Sequence, residues 1–202
     1  MEHFAITINR QFGSLGRPIS MKTAELLGIE FYDRDIVEEV AKKMNLPVSI
    51  ISDEEESTRG AFYAMKFPLG TGTSTRQDDI YFEQRKIITS IADRENCIIV
   101  GRCADYILQD HKKILKIYIY APYEQRLKNC VETLGMKPEA AKKMISDVDK
   151  ARIAYHRHYA GYLPGDYEHM DFMINSATLG VEGSAELIKN IVMEKFGNLL
   201  QK

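Results

Sequence analysis

The stretch ITINRQFGSLGRPISMKTAELLG, residues 6–28, decides the fold that we predict for this chain. Its first residues belong to an apolar, β-branched run, FAITI at 4–8, which is typical of a buried strand. A turn with Gly13 and Gly16 follows, and apolar residues then recur at the spacing of one helix face until Gly28 ends the helix. This order predicts a phosphate-binding loop, because the turn directs backbone N–H groups inward and the helix N-terminus adds partial positive charge. The residues predicted to form the loop and hold the phosphate are Gln11, Phe12, Gly13, Ser14, Leu15, Gly16, Arg17 and Pro18.

The loop departs from the Walker pattern G-x-x-x-x-G-K-S/T. Arg17 stands at or near the position of the lysine, and Pro18 stands where a hydroxyl would bind magnesium. Arginine can bind a phosphate through two N–H groups, whereas proline has neither an N–H nor a hydroxyl to offer. Ser20 is the nearest alternative hydroxyl for the metal. A second interpretation therefore stays open, in which the turn binds no ligand.

Composition indicates one ordinary globular domain. The 202 residues are 45% hydrophobic and 28% charged, which is enough apolar material to bury a core. The net charge of -2 gives no bulk reason to expect a nucleic acid or a membrane as partner, so local arginines must hold any phosphate. The N-terminus does not resemble a signal peptide, and no apolar run approaches the length of about 18 residues that a membrane span needs. Three cysteines without metal spacing predict buried free thiols, and we expect a cytoplasmic protein.

Four further apolar runs are typical of strands, and each precedes a helical pattern. The runs lie at about 29–33, 97–100, 114–121 and 172–175, and the helices at about 34–44, 78–95, 104–108, 122–134, 137–159 and 183–196. Five such strands predict a parallel sheet covered by helices on both faces, which is a three-layer α/β fold. Ligands of these sheets bind at the carboxyl ends of the strands. The loop, Asp33, Arg102 and Asn175 are therefore predicted to meet at one edge.

Six segments resemble the cytidylate-kinase-like family of P-loop nucleoside monophosphate kinases. They are ITINRQFGSLGR at 6–17, FYDRD at 31–35, IIVGRCADYIL at 98–108, IYIYAPYEQR at 117–126, DKARIAYHRHYAG at 149–161 and DFMINSATLG at 171–180. The resemblance implies a P-loop NTPase fold with α/β/α layers, a five-stranded parallel sheet of order 2-3-1-4-5 and a helical lid. It also implies a single kinase domain over residues 1–202, with its core at 1–33, 79–136 and 168–202, an acceptor-binding lobe at about 34–78 and the lid at about 137–167.

The resemblance also implies an activity, which is Mg-dependent transfer of the γ-phosphoryl group of ATP to a small nucleotide. The expected acceptor is CMP or dCMP. Phosphoryl transfer is mostly positioning and neutralisation of the charge on the migrating group. By this resemblance the catalytic cations are Arg17 in the loop and Arg152 and Arg157 in the lid, with Asp149 placed to orient Arg152.

Asp33 and Asp35 form a D-x-D pair at the end of the second strand. In related small-molecule kinases such a pair serves magnesium and an acceptor hydroxyl, so both residues are candidates for the substrate site. Magnesium prefers carboxylate oxygens and keeps several of its waters. Asp33 is therefore predicted to hold the metal through water, with Ser20 as a weaker candidate. For Asp35 the alternative is that it caps the helix that follows.

The turn after the third strand corresponds to the acceptor site of the family. Arg102 matches the family's arginine there and is predicted to bind the acceptor phosphate. Cys103 replaces the family's aspartate, and Asp105, two residues on, is the remaining carboxylate for the substrate. The five histidines show no metal-binding spacing and are expected at the surface, whereas Phe82 is expected in the core.

Two other functions stay open on the sequence. The altered loop, with Arg17-Pro18, could belong to a nucleotide-binding module with little catalysis. The D-x-D pair would also suit a kinase for another small hydroxylated acceptor. Nothing in the sequence predicts the oligomeric state.

Overall fold

A five-stranded parallel β-sheet forms the centre of the protein. The computed structural model describes residues 2–33, 35–45 and 74–200. The strands are β1 Ala5–Arg10, β2 Glu30–Tyr32, β3 Cys97–Val100, β4 Ile114–Tyr120 and β5 Phe172–Asn175. They follow the order β2-β3-β1-β4-β5, and all neighbouring strands are parallel. The predicted fold class and strand order are confirmed.

Helices cover both faces of the sheet. They are α1 Gly16–Leu27, α2 Asp35–Met44, α3 Ser74–Arg94, α4 Ala104–Ile107, α5 Tyr123–Glu132, α6 Pro138–Ala160 and α7 Ser176–Leu200. On one face α1 and α7 place Ile19 and Ile188 in a core with Ile6 of β1. On the other face α3 places Ile87 in a second core with Ile99 of β3. Because successive side chains of a strand point to opposite faces, these two cores give the three predicted layers.

The last helix begins earlier than predicted. The apolar periodicity placed its start near residue 183, whereas α7 starts at Ser176 and is interrupted at Gly180, where φ is 67°. Glycine adopts this conformation without a steric penalty. The short first turn is useful to the site, because the Ser176 hydroxyl donates a hydrogen bond of 2.7 Å to the carbonyl oxygen of Ser14 in the loop.

The helix predicted as the lid, α6, is docked at both of its ends. Its N-terminal half packs on Phe12 of the loop through Ala141, Met144, Ile145 and Val148. In its C-terminal half the Tyr155 hydroxyl donates a hydrogen bond of 2.9 Å to Gln84 of α3. The ring of Tyr159 stacks on Tyr81 of α3 with the centroids 3.9 Å apart. This helix therefore joins the loop to α3.

The predicted acceptor lobe, at about 34–78, includes residues 46–73, which lie outside the residues that the structure describes. Cys97, Cys103 and Cys130 are free and buried, as predicted. The prediction for Phe82 is wrong: 54% of the residue is exposed, because Tyr81 takes the inward-facing position at this level of α3. Within the described ranges, no helix has the length and apolar content needed to cross a bilayer.

Candidate active site

The predicted phosphate-binding loop is a tight turn between β1 and α1. Gly13 has a φ of 78°, and a Cβ added there would lie 2.8 Å from the carbonyl oxygen of Arg126. Leu15 has a φ of 58° and immediately precedes α1. The fully buried Ser14 donates its hydroxyl to the carbonyl oxygen of Gln11 over 2.9 Å. The turn therefore has a defined shape before any ligand binds.

Side chains from α5 and α6 hold the loop from outside. The Phe12 N–H donates to Oδ1 of Asp149 over 2.8 Å, and the Asn129 amide donates to the Gly13 carbonyl oxygen over 2.8 Å. The guanidinium of Arg126 forms an ion pair with Asp149. The prediction that Asp149 orients Arg152 through a direct contact is thus corrected, because its carboxylate oxygens bind Arg126 and the loop N–H.

Four arginines surround one buried carboxylate at the carboxyl ends of the strands. Asp33 follows β2 and is 5% exposed. Its Oδ2 lies 2.9 Å from Nε of Arg17, and its Oδ1 lies 3.6 Å from Nη2 of Arg10. Burial raises the pKa of Asp33, but the positive charges of Arg10, Arg102, Arg17 and Arg152 outweigh burial and hold that pKa below its ordinary value. We call these four residues the arginine cluster.

A left-handed turn after β3 places Arg102 in the cluster. Gly101, Arg102 and Cys103 have φ values of 74°, 58° and 54°. Two successive non-glycine residues in this region are uncommon, and each stores backbone strain of about 1–3 kcal/mol. Strain of this kind persists where the surrounding structure holds it. The turn brings Arg102 and Cys103 to the cleft wall.

The structure brings one of the two predicted lid arginines to the site. Nη1 of Arg152 donates a hydrogen bond of 2.9 Å to the Arg10 carbonyl oxygen, while its buried Nε has no hydrogen-bond partner among the described residues. Asp149 and Asp33 raise the pKa of Arg152, but burial and the charge of Arg10 outweigh them and lower it below its ordinary value. Arg157 lies on an exposed side of α6 and does not line the cleft. Arg152 and Arg157 are five residues apart, which corresponds to a rotation of about 140° around the helix axis, so they lie on different sides of α6.

A cleft of ≈ 370 Å³ opens at the carboxyl ends of β1, β2 and β3. This volume is within the range of small-molecule sites. Its wall includes the loop from Gln11 to Pro18 except Ser14, the four members of the arginine cluster, and Asp33. The remaining lining includes Tyr155 and His156 of α6.

Asp105 is buried beside the cleft rather than exposed to a substrate. It is 1% exposed and does not line the cleft. Oδ2 of Asp105 accepts hydrogen bonds from Nε2 of His156 over 2.9 Å and from the Tyr162 hydroxyl over 2.8 Å. The prediction that Asp105 binds the substrate is therefore corrected. These two partners come from α6 and the segment after it, so the Asp105 carboxylate attaches that region to α4.

His156 is buried, contrary to the expected surface position, and its two hydrogen-bond partners favour a doubly protonated ring. It is 3% exposed. Its Nδ1 lies 3.0 Å from the Tyr162 carbonyl oxygen, and its Nε2 lies 2.9 Å from the Asp105 carboxylate. Both partners are acceptors only, so both ring nitrogens must donate. Burial lowers the pKa of His156, but the hydrogen bond and charge of Asp105 outweigh burial and raise the pKa above its ordinary value.

This pair predicts a pH-dependent contribution to stability. Because the pKa of His156 is raised in the folded state, its contribution is complete below the unfolded pKa of about 6.5 and is lost as the pH rises through the folded value. At about pH 6, His156→Gln is expected to lower the free energy of unfolding by about 3 kcal/mol, since it leaves Asp105 buried without its cation. Urea unfolding at about pH 6 and about pH 9 measures the difference, which should shrink at the higher pH. His158→Gln, an exposed histidine on the same helix, is the matched control. A loss that is equal at both pH values would contradict the charged pair.

The predicted metal ligands do not form a direct magnesium site. The Ser20 hydroxyl is fully buried and donates to the Gly16 carbonyl oxygen over 2.7 Å, so its predicted metal role is wrong. Asp35 is exposed at the start of α2 and does not line the cleft. Asp33 is engaged by arginines. No group of three His, Cys, Asp or Glu side chains in the described parts of the chain could hold a metal.

Two functional residues escaped the sequence prediction. Arg10 is the last residue of β1 and belongs to the arginine cluster. His156 lines the cleft and holds Asp105. The signal for Arg10 was its place at the carboxyl end of the central strand, directly before the loop. For His156 there was no local signal.

Comparison with known proteins gives the family. The model of the cytidylate kinase-like family matches residues 5–178. This chain belongs to the cytidylate-kinase-like family. No curated protein matches it significantly.

Solved structures similar to this cytidylate-kinase-like protein include kinases. An uncharacterized protein from Eubacterium ventriosum has 26% identity and a TM-score of 0.72, over 94% of this chain and 98% of that chain. Shikimate kinase from Acinetobacter baumannii in complex with shikimate has 16% identity and a TM-score of 0.54, over 96% and 95% of the two chains. A sugar kinase from a Janibacter species has 13% identity and a TM-score of 0.50, also over 96% and 95%. At these identities the two kinases share the fold with this chain. Family and fold together support a P-loop phosphotransferase that uses a nucleotide.

Proposed function

We propose that this protein transfers the γ-phosphoryl group of ATP to a small phosphorylated acceptor, with CMP or dCMP as the first candidates. The observation that carries the proposal is the arginine cluster around Asp33, the one carboxylate among the described residues that line the cleft, at the open side of the phosphate-binding loop. Its surplus of positive charge suits two phosphate-bearing substrates that meet in one cleft. Fixed cations in a partly buried cleft act on developing charge more strongly than in water.

The loop and Arg17 would hold the donor phosphates. The first N–H groups of a helix have no partners within the helix, and α1 starts at Gly16 directly after the loop. The loop N–H groups from Leu15 to Arg17 are therefore assigned to the donor phosphates. Arg17 lies at the cleft entrance with 48% of its side chain exposed, where it can reach a phosphate while its Nε stays with Asp33.

The state of Asp33 favours a phosphate oxygen as the acceptor over a hydroxyl. A hydroxyl acceptor needs a base to take its proton, and a good base has a pKa near the working pH. The pKa of Asp33 is held below its ordinary value and its Oδ2 accepts from Arg17, so this carboxylate is a poor base. A nucleoside monophosphate brings an ionised oxygen that needs no base, and Arg102 on the β3 side of the cleft is assigned to its phosphate.

A hydroxylated small molecule is the second candidate acceptor. The similar shikimate kinase structure holds shikimate, and in this chain Asp33, the first residue of the D-x-D pair, directly follows β2. The base would then have to be a group other than the arginine-bound carboxylate. Recognition of the nucleobase also differs from the family pattern. Cys103 lines the cleft in place of the family's aspartate, and Asp105 does not line it.

Magnesium would be carried chiefly by the donor's own phosphates. The described residues offer no direct ligand set, and the cation commonly binds through one or two carboxylates plus substrate phosphates. Asp33, which lines the cleft, would hold the metal through water.

An acceptor panel tests the proposal. The protein is incubated with ATP, magnesium and each of CMP, dCMP, UMP, AMP, GMP and shikimate, and ADP formation is followed by a coupled assay, with phosphorus NMR to identify the product. We expect ADP and a nucleoside diphosphate with at least one monophosphate. Omission of the acceptor is the control for ATP hydrolysis. ATP binding without turnover on any acceptor would contradict the kinase and favour a non-catalytic nucleotide-binding module.

A further inference from the structure

The side chain of Arg10 crosses the site from one strand end to another. Arg10 ends β1, and its guanidinium lies beside Gly101 at the end of β3 and 3.6 Å from Asp33 at the end of β2. Since β3 lies between β1 and β2 in the sheet, this side chain spans three strand ends. Only 13% of it is exposed. It is therefore a fixed cation on the floor of the cleft.

Two glycines make room for this arginine. A Cβ added to Gly101 would collide with Nη1 of Arg10, and a Cβ added to Gly16 would lie 2.7 Å from its Cβ. Gly16 is the first residue of α1 and has no positive φ, so backbone conformation does not require glycine there. The stem of Arg10 accounts for it. The loop and the β3 turn are both shaped around the Arg10 side chain.

The position of Arg10 is the boundary between the two proposed substrates. On one side lies the loop assigned to the donor, and on the other lies the turn that carries Arg102, assigned to the acceptor. The Arg10 carbonyl oxygen also accepts the hydrogen bond from Arg152. Arg10 makes the largest charge contribution to the lowered pKa of Asp33, and it also lines the cleft. It therefore faces the substrate space as well as the buried carboxylate.

We propose that Arg10 is a catalytic residue that donates N–H groups to the oxygens of the phosphoryl group in transfer. This inference rests on the proposed kinase function. In the step, the bond from the γ-phosphorus to the bridging oxygen of ATP breaks, and a bond forms from an acceptor phosphate oxygen to that phosphorus. The electron pair leaves with ADP. Arg10 exchanges no proton, and it stabilises the charge that spreads over the equatorial oxygens.

Replacement of the side chain gives the first test. With the acceptor found in the panel, Arg10→Ala is expected to lower kcat about a hundredfold, with KM for ATP and acceptor changed less than about fivefold. Arg10→Lys keeps the charge without the fork and should recover only part of kcat. Added guanidinium ion should raise the rate of Arg10→Ala, which a structural role would not produce. Arg85→Ala, an exposed arginine of α3, is the matched control and should retain wild-type kcat.

A second variant displaces Arg10 without removing a charge. Gly101→Ala should lower kcat by a similar factor, since its Cβ occupies the place of the guanidinium. Gly28→Ala is the matched control, because Gly28 also has a positive φ, 63°, but has no atom within 4 Å of an added Cβ. The Gly28→Ala variant therefore has comparable backbone strain but no collision with a neighbouring side chain. Thermal unfolding of both variants separates lost stability from lost activity.

The outcomes separate the two proposals. Loss of kcat in Arg10→Ala and Gly101→Ala, with both controls active, supports a catalytic Arg10. If the wild type turns over and Arg10→Ala matches Arg85→Ala, the role of Arg10 is overturned and the kinase function stands. If the wild type turns over no acceptor, the kinase function fails, and the catalytic role of Arg10 fails with it.

Discussion

Arg152→Ala is expected to lower kcat by about 10³-fold, the scale of an arginine that neutralises a migrating phosphoryl group. Arg152 already lies in the cleft, where its Nη1 is bound to the Arg10 carbonyl oxygen and its Nε has no partner among the described residues. The loop N–H groups and Arg17 are assigned to the ground-state phosphates, so the Kd for ATP should change less than about fivefold. Steady-state kinetics and calorimetric ATP binding measure the two quantities.

Arg157→Ala is the informative companion to this variant. It removes the same side chain type from the same helix, and the structure places Arg157 on an exposed side of α6. We expect kcat within about threefold of the wild type, as for most surface substitutions. A loss equal to that of Arg152→Ala would mean that α6 rotates when nucleotide binds. An Arg152→Ala enzyme with unchanged kcat would contradict the assigned role of Arg152.

Asp33→Asn is expected to lower the free energy of unfolding by about 3–5 kcal/mol at neutral pH, the usual effect of removing one partner of a buried ion pair. Asp33 is 5% exposed among the four guanidinium groups of the cluster, which repel one another without it. Because its pKa is lowered in the folded state, its contribution is present above the unfolded pKa of about 3.9 and is lost as the pH falls through the folded value. Urea unfolding at neutral and acid pH measures this.

Added tripolyphosphate should restore much of the stability of Asp33→Asn, since an anion can replace the missing negative charge. Asp35→Asn is the matched control, because Asp35 is exposed two residues away. A magnesium titration of activity addresses the proposed metal contact. A higher magnesium requirement in Asp33→Asn would support a contact through water, and an unchanged requirement would leave Asp33 as a counter-ion. Equal stability of the two variants would contradict the charge-balance argument.

Most of the fold could be predicted because each buried strand carries its own signal. The run at β3 is apolar and buried along its full length, as expected for a sheet covered on both faces, whereas in β4 buried residues alternate with half-buried ones. The start of α7 was predicted too late, because Gly180 interrupts the helical periodicity. Phe82 was predicted on the wrong side of α3 because two aromatic residues, Tyr81 and Phe82, are adjacent there. The apolar pattern does not say which of them points inward.

Site residues could be predicted where the backbone pattern itself makes the site. The glycines and the helix start locate the loop, and a strand end locates Arg102 and Asp33. The roles of Asp105, Ser20 and Asp149 could not be predicted in this way. All three stood at plausible positions in the sequence, but their partners in the fold decide their chemistry. Asp105 binds His156, Ser20 binds the Gly16 carbonyl oxygen, and Asp149 binds Arg126.

Local patterns in the sequence were sufficient for the layers of the fold, for the loop and for the edge of the sheet that carries the cleft, since strand burial and helix periodicity are properties of short segments. Strand order additionally required the family resemblance. The folded chain was needed to identify Arg10 as the cation on the cleft floor and His156 as a charged partner of Asp105. Side-chain ionisation depends on neighbours that are far apart in sequence, and Asp105 and His156 are separated by 51 positions. No local pattern carries information about a contact of that kind.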